Sequence, residues 1–357
     1  MSRRVSSKFQ VPSSKGACAP RDSELGTWNS ELRGAKTLLL AAMIACSTPG
    51  PAGEPVRITI PAGATFRQVT DTLVARGLVG SRFWFTALAR LRRSDRAAKA
   101  GVYDLPRGAT AWNLLTALER GRVAMVRFTA PEGLTLVDLA ELAETRLGIP
   151  RDSVLAAARD RARVNLLAPD APSLEGYLLP ETYQLPVPVT AASLVQAMVE
   201  EFQRRWDPAW DRRLDSLKLT RTQLLALASI VEGEARHDDE RGTIAAVYRN
   251  RLRLGMALQA DPTVQYAIEL ATGERKPRLY FKDYDFSSPY NTYLNPGLPP
   301  GPVNSPGLKS IEAALYPADV PWLYFVAGPD GHHVFSRTLV EHNRAIGEVR
   351  QKGRDGR

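Results

Sequence analysis

One glutamate in this sequence has the surroundings of a proton-donating acid. Glu232 lies near the end of a segment that begins with Thr220 and Gln223, a capping-box pair typical of a helix start. Positions three, four and seven residues before Glu232 share its helix face, and they are small or apolar: Ser229, Ala228 and Leu225. A carboxyl group held against apolar surface loses hydration of its charged form. We therefore expect Glu232 to hold a proton near neutral pH and to donate it to a substrate.

A simpler interpretation of this segment stays open. Glu232 would then be an ordinary charge at the end of an amphipathic helix, without chemistry. Glu234 lies two positions later and therefore on roughly the opposite side of the helix. We expect Glu234 to be solvated.

A second stretch combines aromatic and acidic residues. Residues 174–186 read LEGYLLPETYQLP, which is typical neither of a helix nor of a regular strand, and such stretches often line sites. Sugar-binding clefts use aromatic faces and fixed carboxylates, because pyranose rings stack on aromatic rings and their hydroxyls need acceptors. The alternative is a packed turn with Tyr177 and Tyr183 in the core.

Two further features follow Glu232 along the chain. Asp261 stands before Pro262, a pattern typical of an N-cap followed by proline at the first helical position. Alternatively, Asp261 faces the cleft as a second acid. Residues 288–307 form a long loop rich in Pro, Gly, Asn and Tyr, and loops of this length in compact domains are usually functional.

The composition is that of an ordinary soluble protein with room for two domains. The 357 residues are 44% hydrophobic and 24% charged, with a formal net charge of +9. Residues 1–45 hold seven Lys or Arg against three Asp or Glu, a net +4, so +5 remains for the rest. We interpret the remaining basic residues as scattered among acids, without a nucleic-acid motif. The charge therefore suits an anionic polymer or a membrane surface, and no nucleic-acid partner is predicted.

Cysteine and histidine are too few for a metal site or a disulfide framework. The cysteines are Cys18 and Cys46. The four histidines show no HExxH or other metal-ligand spacing: His237, His332, His333 and His342. We predict no metal and no cofactor.

The N-terminal region has the pattern of an export signal. Residues 1–34 lack periodicity, and we interpret them as a disordered leader or a mis-assigned start. Residues 35–46 join a basic flank to an apolar run and Cys46, which resembles a bacterial lipoprotein signal with Cys46 as the lipidated residue. A plain signal peptide and a short uncleaved anchor are the alternatives. All three possibilities put the folded part of the protein at the extracytoplasmic face of the cell (inner) membrane. A Pro/Gly linker follows over residues 47–55.

The pattern Pro-x-Gly-x-Thr occurs three times, each time before a helical segment. It lies at residues 61–65, 106–110 and 131–135. Pro and Gly favour a turn, Thr can cap the next helix, and VRITI at residues 56–60 predicts a strand. Such small strand–turn–helix units resemble LysM-like modules, which bind peptidoglycan sugars. We predict a LysM-like subdomain over residues 56–125; a packing module without a ligand is the alternative.

The remaining segments alternate between helix and strand patterns, and together they predict an α+β fold. In this interpretation a small LysM-like α/β subdomain precedes a mixed α+β domain. In chain order we predict helices over residues 191–206 and 239–254, a helix restarting at Ser305 and Pro306, a hairpin over 322–336, a closing helix over 338–349 and a disordered basic tail over 350–357.

Five motifs occur in an order that resembles one family. They are LEGYLLPETY, ASIVEGEA, VYRNRLRLGMALQADPTVQYA, SPYNTYLNPGLPPGPVNSPG and LYFVAGPDGHHVF. Together they closely resemble the YceG-like, MltG-type family of endolytic murein transglycosylases. The resemblance implies a membrane-tethered, extracytoplasmic enzyme that cuts nascent peptidoglycan strands internally, with a YceG-like catalytic domain over residues 126–349. It carries the family's catalytic glutamate onto Glu232 of the ASIVE motif. Family members usually have a transmembrane helix near the N-terminus, whereas this sequence has a shorter apolar segment ending at Cys46.

The implied reaction needs only one acid. Glu232 would protonate the oxygen between N-acetylmuramic acid and N-acetylglucosamine, then accept the proton of the muramic C6 hydroxyl as it closes on C1 to a 1,6-anhydro ring. No water is consumed, whereas hydrolytic glycosidases need two carboxylates. We predict substrate contacts and orienting groups at six positions: Tyr290, Asn291, Tyr293 and Asn295 for contacts, with Glu181 and Gln259 for orientation.

Two alternatives to this function stay open. The chain would be a muramidase if Asp261, Glu181 or Glu234 held a water on the far face of the sugar. It would be a non-catalytic scaffold if it bound the wall and recruited peptidoglycan synthases without cutting it.

Overall fold

The structure, a computed structural model, describes residues 54–355. The chain divides into two compact units on either side of the bond between Arg122 and Val123. Within the described range, no helix combines the length and the apolar character that crossing a bilayer requires. The leader, the signal-like segment and Cys46 lie outside the described residues.

Over residues 54–122, the first unit carries one pair of antiparallel strands and three helices. β1 (Val56–Ile60) pairs with β2 (Gly101–Leu105), and Ile58 lies opposite Tyr103. Alternate residues of β1 are buried, so its apolar side chains share the core face. The VRITI strand is confirmed, whereas the LysM-like character of the unit stays a prediction. The helices are α1 (Phe66–Ala75), α2 (Arg82–Arg92) and α3 (Ala111–Arg120).

The three Pro-x-Gly-x-Thr turns have the expected conformation. Gly63, Gly108 and Gly133 have φ of 77°, 79° and 77°, the left-handed region that favours glycine. The threonine hydroxyl of each turn accepts a hydrogen bond from a backbone N–H in the first turn of the next helix. The predicted caps are therefore confirmed at α1, α3 and α4 (Leu136–Leu147).

Over residues 123–355, the second unit is mainly helical and holds two separate two-stranded sheets. β3 (Met125–Thr129) pairs antiparallel with β4 (Thr182–Pro186), and β5 (Tyr324–Ala327) pairs antiparallel with β6 (His333–Ser336). The α+β class and the hairpin are confirmed. The helices after α4 are α5 (Arg151–Arg159), α6 (Arg161–Leu167), α7 (Ala191–Arg205), α8 (Pro208–Leu217), α9 (Arg221–Glu234), α10 (Arg241–Arg253), α11 (Asp261–Thr272), α12 (Leu308–Leu315) and α13 (Leu339–Asp355).

α9 is the central helix of the second unit. Every residue from Leu224 to Val231 is shielded from solvent on all sides. The helix packs against α8, α10, α11 and α12. A helix that is apolar all round belongs in a core, so α9 is buried on more than the face that carries Glu232. Glu232 therefore directly follows a fully buried stretch of helix.

Two other expectations are corrected by the fold. Tyr177 is 0% and Tyr183 is 7% exposed, so the stretch 174–186 is a packed turn leading into β4. α13 continues to Asp355, so the disordered tail expected from residue 350 is wrong over residues 350–355.

Candidate active site

Glu232 lies in the last turn of α9, and its side chain is 7% exposed. Its Oε1 is 3.1 Å from Nη1 of Arg241, and its Oε2 accepts a 3.0 Å hydrogen bond from the backbone N–H of Gly307. Arg241 begins α10, and Gly307 is the N-cap of α12. The N-terminus of a helix attracts negative charge, so both partners stabilise a carboxylate at this position.

Arg241 is fixed by more than Glu232. Its Nε donates to Oδ1 of Asp238 over 3.0 Å, and its Nη1 donates to the hydroxyl of Ser310. Burial alone would lower the pKa of Arg241, but the carboxylates of Glu232 and Asp238 raise it above its ordinary value. The site therefore contains a permanent, immobile positive charge beside Glu232.

The apolar surroundings expected for Glu232 end before its carboxyl group. Leu225 and Ala228 are buried in the core, but the two carboxyl oxygens face a guanidinium and an amide. A charged donor and a backbone N–H are partners of a carboxylate anion. The expectation of purely apolar surroundings for the Glu232 carboxyl group is therefore wrong.

Small residues on either side of Glu232 let the loop before α12 come close. Nδ2 of Asn304 donates to the carbonyl of Ser229 over 2.9 Å. A Cβ at Gly233 would come within 2.7 Å of Cγ of Pro262 and 3.5 Å of Nδ2 of Asn304. Such contacts leave no room for a larger side chain at this position, which explains the glycine directly after Glu232.

A second carboxyl group reaches the site from the turn before α4. The N–H of Gly133 in this turn donates to the carbonyl of Ser305 over 2.8 Å. Glu132 is solvent-exposed, and its carboxyl group lies against Gly307, where any Cβ would overlap its Oε1. Partial burial, and then the negative charge of Glu232, raise the pKa of the Glu132 carboxyl above its ordinary value.

Sequence reasoning missed Glu132 because the Pro-x-Gly-x-Thr turns indicated structure alone. The first variable position of the pattern is Ala62 in the first turn, Arg107 in the second and Glu132 in the third. Only the third of the three similar turns carries an acid at this position, and that difference was the signal in the sequence that could have indicated a functional residue.

Glu234 belongs to a separate polar cluster. Its Oε1 accepts a 3.0 Å hydrogen bond from the hydroxyl of Tyr248. Burial, and then the negative charge of Asp261, raise the pKa of Glu234 to about 7. The expectation that Glu234 is solvated is wrong.

Asp261 is part of the same cluster and does not cap a helix. It is the first residue of α11, and the N-cap is Ala260, so the predicted capping role is wrong. Oδ1 of Asp261 accepts a 2.7 Å hydrogen bond from the hydroxyl of Tyr293. The ring of Tyr293 lies 4.5 Å from that of Tyr284. The Asp261 carboxylate is thus held by an aromatic pair.

Two of the predicted substrate contacts are buried inside their loop. Asn291 is 0% exposed, and its Nδ2 donates to the carbonyls of Tyr284 and Phe286 over 2.9 and 2.8 Å. Tyr290 is 9% exposed, and its ring packs 4.9 Å from that of Tyr266. Both side chains stabilise the loop, which corrects the expectation that they contact substrate.

Three other candidates are exposed. Nδ2 of Asn295 donates to a loop carbonyl over 2.8 Å, and Oε1 of Glu181 accepts from the next backbone N–H over 2.8 Å. Gln259 has φ of 52°, an uncommon conformation for a residue with a side chain. Substrate binding by these three residues and by Tyr293 stays a prediction.

Glu175 is a buried acid that sequence analysis did not single out. It is 3% exposed, and its Oε2 accepts hydrogen bonds of 3.1 Å from the N–H of Leu136 and the hydroxyl of Tyr266. Burial raises the pKa of Glu175 to about 8. Because Leu136 begins α4, Glu175 positions the turn that carries Glu132.

An open depression of about 400 Å³ lies beside Arg241. Its other lining residues are Trp210, Asp238, Gly242, Lys309, Glu312, Ala313 and Tyr316. The aromatic and charged side chains among them suit contacts to sugars. Within residues 54–355, no three His, Cys, Asp or Glu side chains are arranged to hold a metal ion.

Comparison with protein families matches the YceG-like family to residues 58–348 of this chain. The chain belongs to the YceG-like family. The matched range includes the whole Glu232 site, from Glu132 to Ser310.

Relatives in the YceG-like family cover most of the chain. A Bacillus subtilis protein named endolytic murein transglycosylase is 32% identical over 306 residues, which cover 81% of this chain and 83% of that protein. A Streptococcus pneumoniae serotype 2 protein of the same name is 30% identical over 321 residues, covering 82% of this chain and 58% of that protein. The crystal structure of a YceG-like protein from Listeria monocytogenes has a TM-score of 0.57 and 32% identity, covering 82% of this chain and 99% of that one.

Proposed function

We propose that this chain is an endolytic murein transglycosylase. It would cleave peptidoglycan strands internally between N-acetylmuramic acid and N-acetylglucosamine and leave a 1,6-anhydro end. The observation that carries the proposal is the Glu232 site, a carboxylate fixed at the end of a buried helix by Arg241 and Gly307. Two relatives named endolytic murein transglycosylase match about four fifths of the chain.

The chemistry of this cleavage needs a proton donor and a proton acceptor. The bond between C1 and the leaving oxygen breaks, its electron pair goes to that oxygen, and the oxygen takes a proton. The muramic C6 hydroxyl bonds to C1 and loses its proton to a carboxylate. Glu232 is suited to accept it, and its negative charge stabilises the oxocarbenium-like centre. No water enters the product.

Hydrolysis by a second carboxylate finds less support. The carboxyl groups of Glu234 and Asp261 already bind Tyr248 and Tyr293 within their own cluster. Glu181 is exposed and bonded to the backbone beside it. Each of the three acids proposed for holding water therefore has another role.

We further propose that the enzyme acts at the extracytoplasmic face of the cell membrane. The support is the sequence pattern of residues 35–46, with tethering through that segment or through a lipid on Cys46. The first unit would then serve as a LysM-like glycan-binding module, and peptidoglycan synthases are the proposed partners. Labelling with a clickable fatty acid tests the lipid: we expect label on the wild type and none on Cys46→Ser. An unlabelled wild type would rule out lipidation.

The proposed activity is tested with purified uncrosslinked glycan strands. Wild-type protein should shorten them internally and yield anhydro ends detected by mass spectrometry. Glu232→Gln should bind the strands but cleave them at least about 100-fold more slowly, whereas Glu348→Gln, at an exposed position of α13, should match the wild type. A wild type that binds strands without cutting them would instead support the scaffold.

A further inference from the structure

Glu132 and Glu232 meet at Gly307 but differ in their surroundings. The Glu232 side chain is nearly buried, and each of its oxygens has a donor, Arg241 on Oε1 and the Gly307 N–H on Oε2. Glu132 is exposed to solvent, and its carboxyl group occupies the space that a Cβ on Gly307 would fill. A substrate that enters from solvent therefore reaches the Glu132 carboxyl more easily than that of Glu232.

The groups that surround the two carboxyl groups differ in charge. Glu232 faces a guanidinium and an amide, which stabilise an anion. Glu132 faces the carboxylates of Glu232 and Asp238 and the cations of Arg241 and Lys309. Burial and the charge of Glu232 are the largest influences, and they raise the pKa of Glu132. When two interacting carboxyl groups differ in this way, they suit opposite roles in proton transfer.

We propose that Glu132 is the proton donor of this reaction and that Glu232 is the proton acceptor. The proposal rests on the transglycosylase function given above and assigns its two proton transfers to two residues. Glu132 gives its proton to the leaving oxygen as the bond from C1 to that oxygen breaks. Glu232 takes the proton of the C6 hydroxyl as the bond from O6 to C1 forms. After product release, the proton passes from Glu232 through water back to Glu132, which restores the starting state.

The leaving group separates a proton donor from a proton acceptor. A nitrophenolate anion leaves readily without a proton. A sugar oxygen leaves only if it is protonated as its bond to C1 breaks. On glycan strands, Glu132→Gln should lower kcat at least about 100-fold. On a nitrophenyl glycoside of an N-acetylmuramic acid-containing oligosaccharide, the same variant should stay within about tenfold of the wild type. Glu232→Gln should lose activity on both substrates, and Glu348→Gln on neither.

Two results would overturn the role of Glu132. An equal loss on both substrates would show that it does not protonate the leaving group, and full activity on strands would show that it is not needed. Because Glu132 is exposed, its Gln variant should fold, and circular dichroism checks this. If the wild type itself forms no anhydro product, the proposed function fails instead, so the two failures are distinguishable.

An independent inference comes from the distribution of charge between the two units. Residues 54–122 contain 12 Lys or Arg and five Asp or Glu, a net +7, whereas residues 123–357 contain 28 and 30, a net −2. The net positive charge of residues 54–357 is therefore concentrated in the first unit. Concentrated positive charge attracts anionic surfaces.

The first unit also exposes large apolar side chains on α2 and α3. Phe83 and Leu91 on α2 are 70% and 73% exposed, and Trp112 on α3 is 55% exposed. Trp84 is 38% exposed and lies edge-on to Phe83, and the guanidinium of Arg92 lies 3.9 Å from the ring of Trp112. Tryptophan and apolar side chains mixed with arginine are typical of surfaces that lie in the headgroup region of a bilayer.

We infer that the exposed face of α2 and α3 rests on an anionic lipid surface. The net charge of +7 on residues 54–122 complements anionic headgroups. The predicted apolar segment ends at Cys46, and the structure describes the chain from Glu54 onward. The eight residues from Ser47 to Glu54 can span at most about 30 Å, so a membrane that holds the segment lies within reach of the first unit.

Tryptophan quenching by brominated lipids tests this contact in the full chain. Phosphatidylglycerol vesicles with brominated acyl chains should quench part of the fluorescence. The double variant Trp84→Phe/Trp112→Phe, which keeps the face apolar, should lose most of that quenching. Trp322→Phe, in the second unit, is the matched control and should keep it. Equal quenching in the double variant and the wild type, or equal quenching of Trp84 and Trp112 by zwitterionic phosphatidylcholine vesicles, would overturn the inference.

Discussion

Glu232 and Arg241 form a nearly buried ion pair, with Oε1 of the glutamate 3.1 Å from Nη1 of the arginine. The two side chains are 7% and 10% exposed. α9 ends beside one residue and α10 begins at the other, so the pair joins two core helices at the proposed reaction centre. Removing one member of such a pair leaves the other charge buried without a partner.

Arg241→Gln should therefore lower both stability and activity. We expect a loss of about 3–5 kcal/mol in the free energy of unfolding. Formation of the anhydro product should also slow, because the arginine no longer fixes the position of the Glu232 carboxyl group. Arg241→Lys keeps the charge and should lose less stability. Unchanged stability of Arg241→Gln in denaturant unfolding would contradict this role of the ion pair.

Gly307→Ala should impair catalysis with little effect on folding. Gly307 has φ of −71°, which alanine adopts freely, and the N–H that binds Glu232 remains. The new Cβ would overlap the carboxyl group of Glu132 and displace it. We expect kcat on glycan strands to fall about tenfold or more and the melting temperature to change little. Gly347→Ala, where a Cβ meets nothing within 4 Å, is the control; equal kcat in both variants would argue against a role for the Glu132 position.

Local patterns predicted the elements of this fold well. The threonine caps, the VRITI strand, the hairpin and the position of Glu232 at the end of a helix depend on residues close together in sequence. One partner of Glu232 does not, because Gly307 is 75 residues away in the chain. The third Pro-x-Gly-x-Thr turn looks like the other two, yet Gly133 bonds to Ser305 and brings Glu132 to the site. Tertiary contacts of this kind leave no periodic signal in the sequence.

Burial explains why some candidate residues were assigned the wrong role. Asn291 and Asn295 belong to one loop and have similar side chains, but only the first is fully enclosed. Glu232 and Glu234 share one helix end, yet one pairs with Arg241 and the other with Tyr248. Such differences depend on which segments pack around each side chain.

Asn291→Ala should destabilise the protein. Its amide donates to two backbone carbonyls in the interior, and the variant leaves them unsatisfied. We expect a loss of about 1–3 kcal/mol in the free energy of unfolding by denaturant. Asn295→Ala, at an exposed position of the same loop, should cost much less. A raised KM with unchanged stability in Asn291→Ala would instead restore its predicted contact with substrate.

The buried acid Glu175 should make the protein less stable as the pH rises. Burial raises its pKa to about 8 in the folded protein, above the ordinary value of the unfolded chain. Between those two values the folded protein holds a proton that the unfolded chain has released, so stability is highest at acidic pH and falls toward pH 8. Glu175→Gln cannot ionise and should show a smaller fall between pH 5 and 8, measured by denaturant unfolding. A fall as steep as in the wild type and in Glu348→Gln would contradict the assignment.

The fate of water during cleavage tests the central claim most directly. Purified glycan strands are digested by the wild-type protein in water enriched in ¹⁸O, and the new ends are analysed by mass spectrometry. The Glu232 site is expected to produce ends that lack one water relative to a reducing sugar and carry no ¹⁸O, and Glu232→Gln should produce almost none. New ends that carry one ¹⁸O, or equal yields from wild type and Glu232→Gln, would contradict transglycosylation at Glu232.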